Sequence, residues 1–253
     1  MTLDNLNYVC AVPANLDLPR TVYKYRCMGK RLLESLLLNQ VWLAQPKTFN
    51  DPFEPVRMLS GTPFSAALQR DVDEAGVLCL SKSAKNLPMW SQYGDGLRGV
   101  AIGYDLRKLL ETLCPVTPHP ETYGHVWKYV FDLDYDNEGL KPIQEMNLLQ
   151  EGEARDRERQ KLFATKAISF SQEKECRIVV RPSPDSTAPD AYPGYGLYQH
   201  APEAITEIVF GELMPQQDRE AIIATMNQRQ IQYADARRDS PRFEILVTEC
   251  GKE

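Results

Sequence analysis

The segment at residues 169–181, SFSQEKECRIVVR, restricts the fold more than any other stretch of the chain. Ile178, Val179 and Val180 are consecutive β-branched residues, which favours a strand. Ahead of them, Glu173, Glu175 and Arg177 recur at every second position. Alternate side chains of a strand share a face. The expectation is a strand entered through a charged stretch, with two carboxylates forced onto one side. Such a pair repels itself, so it belongs on a solvated edge or in a site that requires acid groups. Both readings stand at the level of sequence.

The rest of the chain supplies strands and helices in irregular order. Residues 21–26 (TVYKYR), 41–46 (VWLAQP), 76–83 (GVLCLSKS), 99–104 (GVAIGY) and 204–210 (AITEIVF) read as strands, as do 230–236 and 242–247. In 126–133, Trp127, Tyr129, Phe131 and Leu133 alternate and share a face. Residues 30–39 carry Leu32, Leu33, Leu36 and Leu37 on one helical face, with Asn39 as the stop. Further helices are expected at 64–74, at 106–113 behind an Asp105 cap, at 145–165 and at 215–228. A turn or short helix is expected at 86–93. Residues 134–140 read as a polar turn, 1–20 as an irregular lead-in, and 182–200 as a long surface loop, all within a single domain spanning 1–253. This interspersion predicts an α+β fold with mixed or antiparallel sheets, not a doubly wound parallel one. Neither GxGxxG nor GxxxxGK[ST] occurs.

Charge and cysteine usage narrow the function classes. The net charge is −6, so the chain lacks the global field of a dedicated duplex-DNA binder. The six cysteines stand singly, and with three histidines in the chain a zinc site is not expected. Reduced thiols, a cytoplasmic location and no membrane partner are the corresponding expectations, because no apolar run approaches a membrane span or a leader.

Three short motifs carry the chemistry. Arg26 ends the first strand, Ser81-Lys82-Ser83 ends a later one, and Glu173-Lys174-Glu175 opens the charged strand. In that order they resemble the Arg-Ser-Glu class of mono-ADP-ribosyltransferases. The resemblance implies a split-sheet core of that type and NAD as the substrate, with no metal. It assigns Arg26 to the NAD phosphates, Ser81 to the nicotinamide ribose with Ser83 as a weaker second serine, Glu175 to catalysis and Glu173 to the acceptor. The middle residue of the serine motif is Lys82, where that class usually has threonine. The chemistry is sound by itself: a developing ribosyl cation needs nearby negative charge, and a pyrophosphate suits a guanidinium. Asn50, in the turn FNDPFE, and the pair Trp90 and Tyr93 are candidates to line the pocket, against default readings as turn and core. Lys166 could meet a phosphate, against a default reading as a solvated lysine after a helix. A second resemblance, carried by YKYR, FNDPFE, LCLSKS, NLPMWSQYGDGLRGVAIGYD and EKECR, is to a large bacterial family of uncharacterised domains, some of them resembling defence-associated or toxin-type proteins.

Two other function classes compete. One is a non-catalytic nucleotide-binding or sensor module that keeps the pocket. The other is a metal-dependent nuclease using Asp51, Glu173, Glu175 and Lys166, although Gln172 stands where an Asp/Glu-x-Lys signature needs an acid. The acceptor of any ADP-ribosyl group, whether protein, nucleic acid, small molecule or water, is not legible.

Overall fold

A computed structural model describes residues 9–11, 18–51, 72–116, 126–139, 144, 153–182, 193–227 and 229–250. The helix expected at 64–74 and the Pro-rich part of 182–200 lie largely outside these residues. The main sheet has nine strands in the order β1-β7-β10-β4-β2-β5-β12-β13-β14. They are β1 (Val9–Ala11), β2 (Thr21–Arg26), β4 (Gly76–Ser81), β5 (Val100–Asp105), β7 (Val126–Asp132), β10 (Glu175–Pro182), β12 (Ile205–Gly211), β13 (Gln232–Asp239) and β14 (Glu244–Glu249). Two neighbouring pairs, β1/β7 and β12/β13, are parallel and the rest antiparallel. The fold is α+β with a mixed, mostly antiparallel sheet.

One face of the sheet is closed by helices and a small second sheet. Helix α1 (Lys30–Leu38) buries Leu32 and Leu36, while Leu37 on the same expected stripe is largely exposed. Asn39 ends α1 in the left-handed conformation, which asparagine tolerates. Strand β3 (Gln40–Leu43) pairs with β11 (Gly196–Gln199), which pairs with β6 (Cys114–Pro115). The expected loop 182–200 therefore contains a strand. Helix α3 (Leu106–Thr112) starts where Asp105 accepts a hydrogen bond from the Lys108 N–H at 3.0 Å. With α5 (Gln216–Thr225), these elements bury Val22, Leu78, Leu80, Ile102, Ile178 and Val180 from the sheet.

The opposite face is covered in two halves. Over β7, β10 and β4, helix α4 (Glu153–Ala164) packs Leu162 and Phe163 against Val77, Tyr129, Phe131 and Val179. The aromatic alternation of β7 thus faces the core that the sequence predicts. Over β2, β5, β12 and β13, helix α2 (Leu87–Gln92) packs Trp90 against Tyr25, Ala101, Val209 and Ala234. Ser81, Tyr93, Glu173 and Glu175 fall in the seam where the two halves meet, whereas Trp90 lies inside the second half. At the rim of the seam, β8 (Asp134–Asp136), expected as a polar turn, and β9 (Thr165–Ala167), at the end of the helix expected at 145–165, form a separate parallel pair.

Close approach explains one pair of glycines. A Cβ at Gly76 would collide with the Gly194 carbonyl, and one at Gly194 with the Val180 carbonyl. A larger residue at either position would force β4 away from its neighbours.

Candidate functional site

The charged stretch does not form one continuous strand. Residues Ile168–Glu173 make a 3₁₀ turn, Lys174 is left-handed with φ 48°, and β10 begins at Glu175. Backbone alternation therefore does not align Glu173 with Glu175. Fixed hydrogen bonds do it instead. The carbonyl of Glu173 accepts from Ser81 Oγ at 2.8 Å and from Asn86 Nδ2 at 2.9 Å. The Lys174 carbonyl accepts from the Lys82 N–H at 2.8 Å, and the Glu175 N–H donates to the Tyr135 hydroxyl at 2.8 Å.

So held, the two carboxylates converge on one ammonium. Lys166 Nζ, from β9, lies 2.6 Å from Glu173 Oε2 and 3.1 Å from Glu175 Oε2. The other oxygen of Glu175 accepts from Arg177 Nε at 2.7 Å, and Arg177 also donates to the Phe163 carbonyl at 2.8 Å. All four side chains are at most 7% exposed. Aromatic rings close the cluster, with Phe170 4.7 Å from Lys166 Nζ and Phe49 5.2 Å from the Arg177 guanidinium carbon. The reading of Lys166 as a solvated lysine is overturned: it is the centre of the cluster. Its signal was hidden, because nothing in a lysine after a helix marks a partner seven or nine residues on.

The environment drives the protonation of the two acids apart. Burial raises the Glu173 carboxyl, and the charge of Glu175 adds to it against Lys166. Burial also acts upward on Glu175, but Arg177 and Lys166 together outweigh it and hold that carboxyl at about 2. Burial pushes Lys166 down, and the two carboxylates more than reverse this, so its ammonium is held well above the usual range. The arrangement keeps one ionised carboxylate beside one that takes a proton more readily.

The remaining candidates divide. Ser81 sits directly across from Glu175 in the β4/β10 register, fully buried. Its hydroxyl serves the Glu173 carbonyl, so it shapes the site from below. Ser83 accepts from the Lys85 N–H at 3.1 Å, a turn role, and its carbonyl takes the Tyr25 hydroxyl at 2.7 Å. Trp90 is completely buried and donates its indole N–H to the Ala84 carbonyl at 2.8 Å. It is core, not a wall open to a ligand. Tyr93 is half-buried; burial raises its hydroxyl pKa, and it feels the charges of Glu173, Lys166 and Glu175 and the nearby Asn50 side chain. Asn50 and Tyr93 thus come together at the cluster.

Arg26 does not join them. Tyr23 of β2 faces Ser81, and Arg26, three residues on, points to the other side of the sheet, toward Tyr104. Between Arg26 and the glutamates, where β2 and β4 diverge, Lys24 donates to the Cys79 carbonyl at 2.9 Å and feels the charges of both Arg26 and Glu175. Among the described residues, no group of three His, Cys, Asp or Glu side chains is arranged to hold a metal ion. No helix among them is long and apolar enough to cross a membrane.

Residues 89–178 match the family model described as "Protein of unknown function (DUF2971)". No curated protein and no solved structure matches the chain. The matched stretch covers less than half of the chain, yet it contains Tyr93, Lys166, Glu173, Glu175 and Arg177. Arg26, Asn50 and the serine motif lie outside it.

Proposed function

We propose that this protein consumes NAD in the manner of a mono-ADP-ribosyltransferase, at the site built on Glu175 and Glu173. The observation that carries the reading is the adjacency of the three motif strands. The glutamate strand β10 pairs with the serine strand β4, Glu175 opposite Ser81, and β4 meets the arginine strand β2 at Tyr23. In the proposed reaction the bond from the ribose C1′ to the nicotinamide nitrogen breaks, and its electron pair leaves with neutral nicotinamide. The ribosyl cation, facing ionised Glu175, takes an oxygen or nitrogen of the acceptor, whose proton passes to Glu173. The readier protonation of Glu173 supports that division of labour. Tyr93 and Asn50 stand at the cluster as candidates to contact the nicotinamide riboside. Arg26, on the other face, has no part in this version of the site.

A second reading is favoured by one specific observation. Both oxygens of Glu175 are already ion-paired, to Arg177 and to Lys166. On that reading the protein binds a nucleotide without turning it over. The experiment is nicotinamide release from NAD by wild type and by Glu175→Gln, with and without chelator, alongside thermal shift. Release by wild type alone, indifferent to chelator, supports the enzyme. A shift without product supports the binding module. Neither release nor shift removes both, and chelator-sensitive cleavage of nucleic acid would replace them with the nuclease.

A further inference from the structure

The carboxylate pair is held by the main sheet, and its cation comes from outside it. Glu173 is fixed through its carbonyl by Ser81 and Asn86, and Glu175 through the β10 ladder and Tyr135. Arg177 is fixed as well, between Glu175, the Phe163 carbonyl and the Phe49 ring. Lys166 arrives from outside the main sheet, on the three-residue strand β9, and reaches the carboxylates on a flexible four-carbon stem. Two carboxylate oxygens at 2.6 and 3.1 Å and an aromatic ring at 4.7 Å surround the Lys166 ammonium, the kinds of contact that an organic cation also uses.

We infer that Lys166 is an internal occupant of this cation seat, and that the positively charged nicotinamide riboside end of a dinucleotide must displace it before the site can act. The inference rests on the NAD reading given above. With Lys166 and Arg177 in place both carboxylates are ion-paired, and a developing ribosyl cation gains little. When Lys166 swings out, the local balance shifts by one negative charge while Arg177 stays in position. The same withdrawal frees the oxygen of Glu175 that faces the seat. The closed cluster is therefore a resting state, and its opening is coupled to ligand binding.

The test compares wild type with Lys166→Met, which keeps the stem and removes the ammonium. Nicotinamide release from NAD is expected to rise by about tenfold, within the range of ordinary coupling free energies. In parallel, wild-type protein is treated with an amine-reactive reagent, with and without NAD, and labelling at Lys166 is read by mass spectrometry. NAD is expected to raise it, because the displaced ammonium enters solvent. Wild type that turns over NAD while folded Lys166→Met is no faster overturns the plug and leaves the enzyme standing. Labelling that NAD leaves unchanged or lowers overturns it too, and decides the matter if Lys166→Met does not fold. No release and no thermal shift with NAD in either protein removes the NAD reading and the plug with it.

Discussion

Two seams lie on the same face of the sheet and are built on opposite principles. Around Trp90, the buried polar groups end on backbone carbonyls: the indole N–H on Ala84 and the Tyr25 hydroxyl on Ser83, with the two rings edge to face at 5.0 Å. A short distance along the sheet, Lys166, Glu173, Glu175 and Arg177 bury four charged groups in a space of similar shelter. Desolvating charges is costly, and well-packed apolar residues commonly serve stability as well or better. The first seam is what packing alone selects. The second is not what packing alone selects, and under the proposed reading it is what fixed carboxylates require, so the contrast teaches where to look for chemistry.

The comparison breaks most visibly at Glu175. Glu175→Gln leaves Lys166 and Arg177 facing one carboxylate. It is expected to lower the unfolding free energy by about 3–5 kcal/mol, read by denaturant midpoint, and, under the proposed NAD reading, to abolish nicotinamide release in a product assay. A denaturation curve matching wild type would mean that the charged seam bears no load. The acid limb of stability sharpens the same point. The folded Glu175 carboxyl is depressed to about 2 from 4.5, so its contribution is complete above about 4.5 and is lost as pH falls toward 2. That contribution is on the order of 3 kcal/mol. Glu173, raised instead, acts with the opposite sign and flattens the limb. Thermal midpoints between pH 5 and 2 should fall more steeply for wild type than for Glu175→Gln.

Trp90→Phe tests the other seam. It leaves the Ala84 carbonyl without its donor and should cost about 1–3 kcal/mol; under the proposed NAD reading, any thermal shift with NAD should be unchanged. A lost shift with intact stability would return Trp90 to the ligand wall. The smallest effect lies off both seams, at His200. Burial and, to a lesser degree, Arg229 lower its pKa against the bond to the Ala201 carbonyl. Stability from this residue is present above its unfolded value and declines as pH falls below about 6.5. The difference in thermal midpoint between wild type and His200→Gln should therefore narrow from pH 7.5 to pH 5.5.

The sequence by itself determined the local elements of this protein. TVYKYR is β2 to the residue, Asn39 stops α1, Asp105 caps α3, and the alternation of β7 faces its core. These are short-range consequences of side-chain period and capping, which neighbours in sequence fix. Glu173 and Glu175 were legible as a pair for the same reason, although the strand expected to align them gives way to a 3₁₀ turn. Only the tertiary structure decided what the pair meets. Lys166 reaches it because β9 pairs with β8 away from the main sheet, and Asn86 because α2 folds over the seam. Arg26 leaves it because the register puts Tyr23 opposite Ser81, and an odd number of residues further on reverses the face. Register and inter-element packing are long-range properties. They gave the carboxylate pair its lysine and sent the arginine to the other side of the sheet.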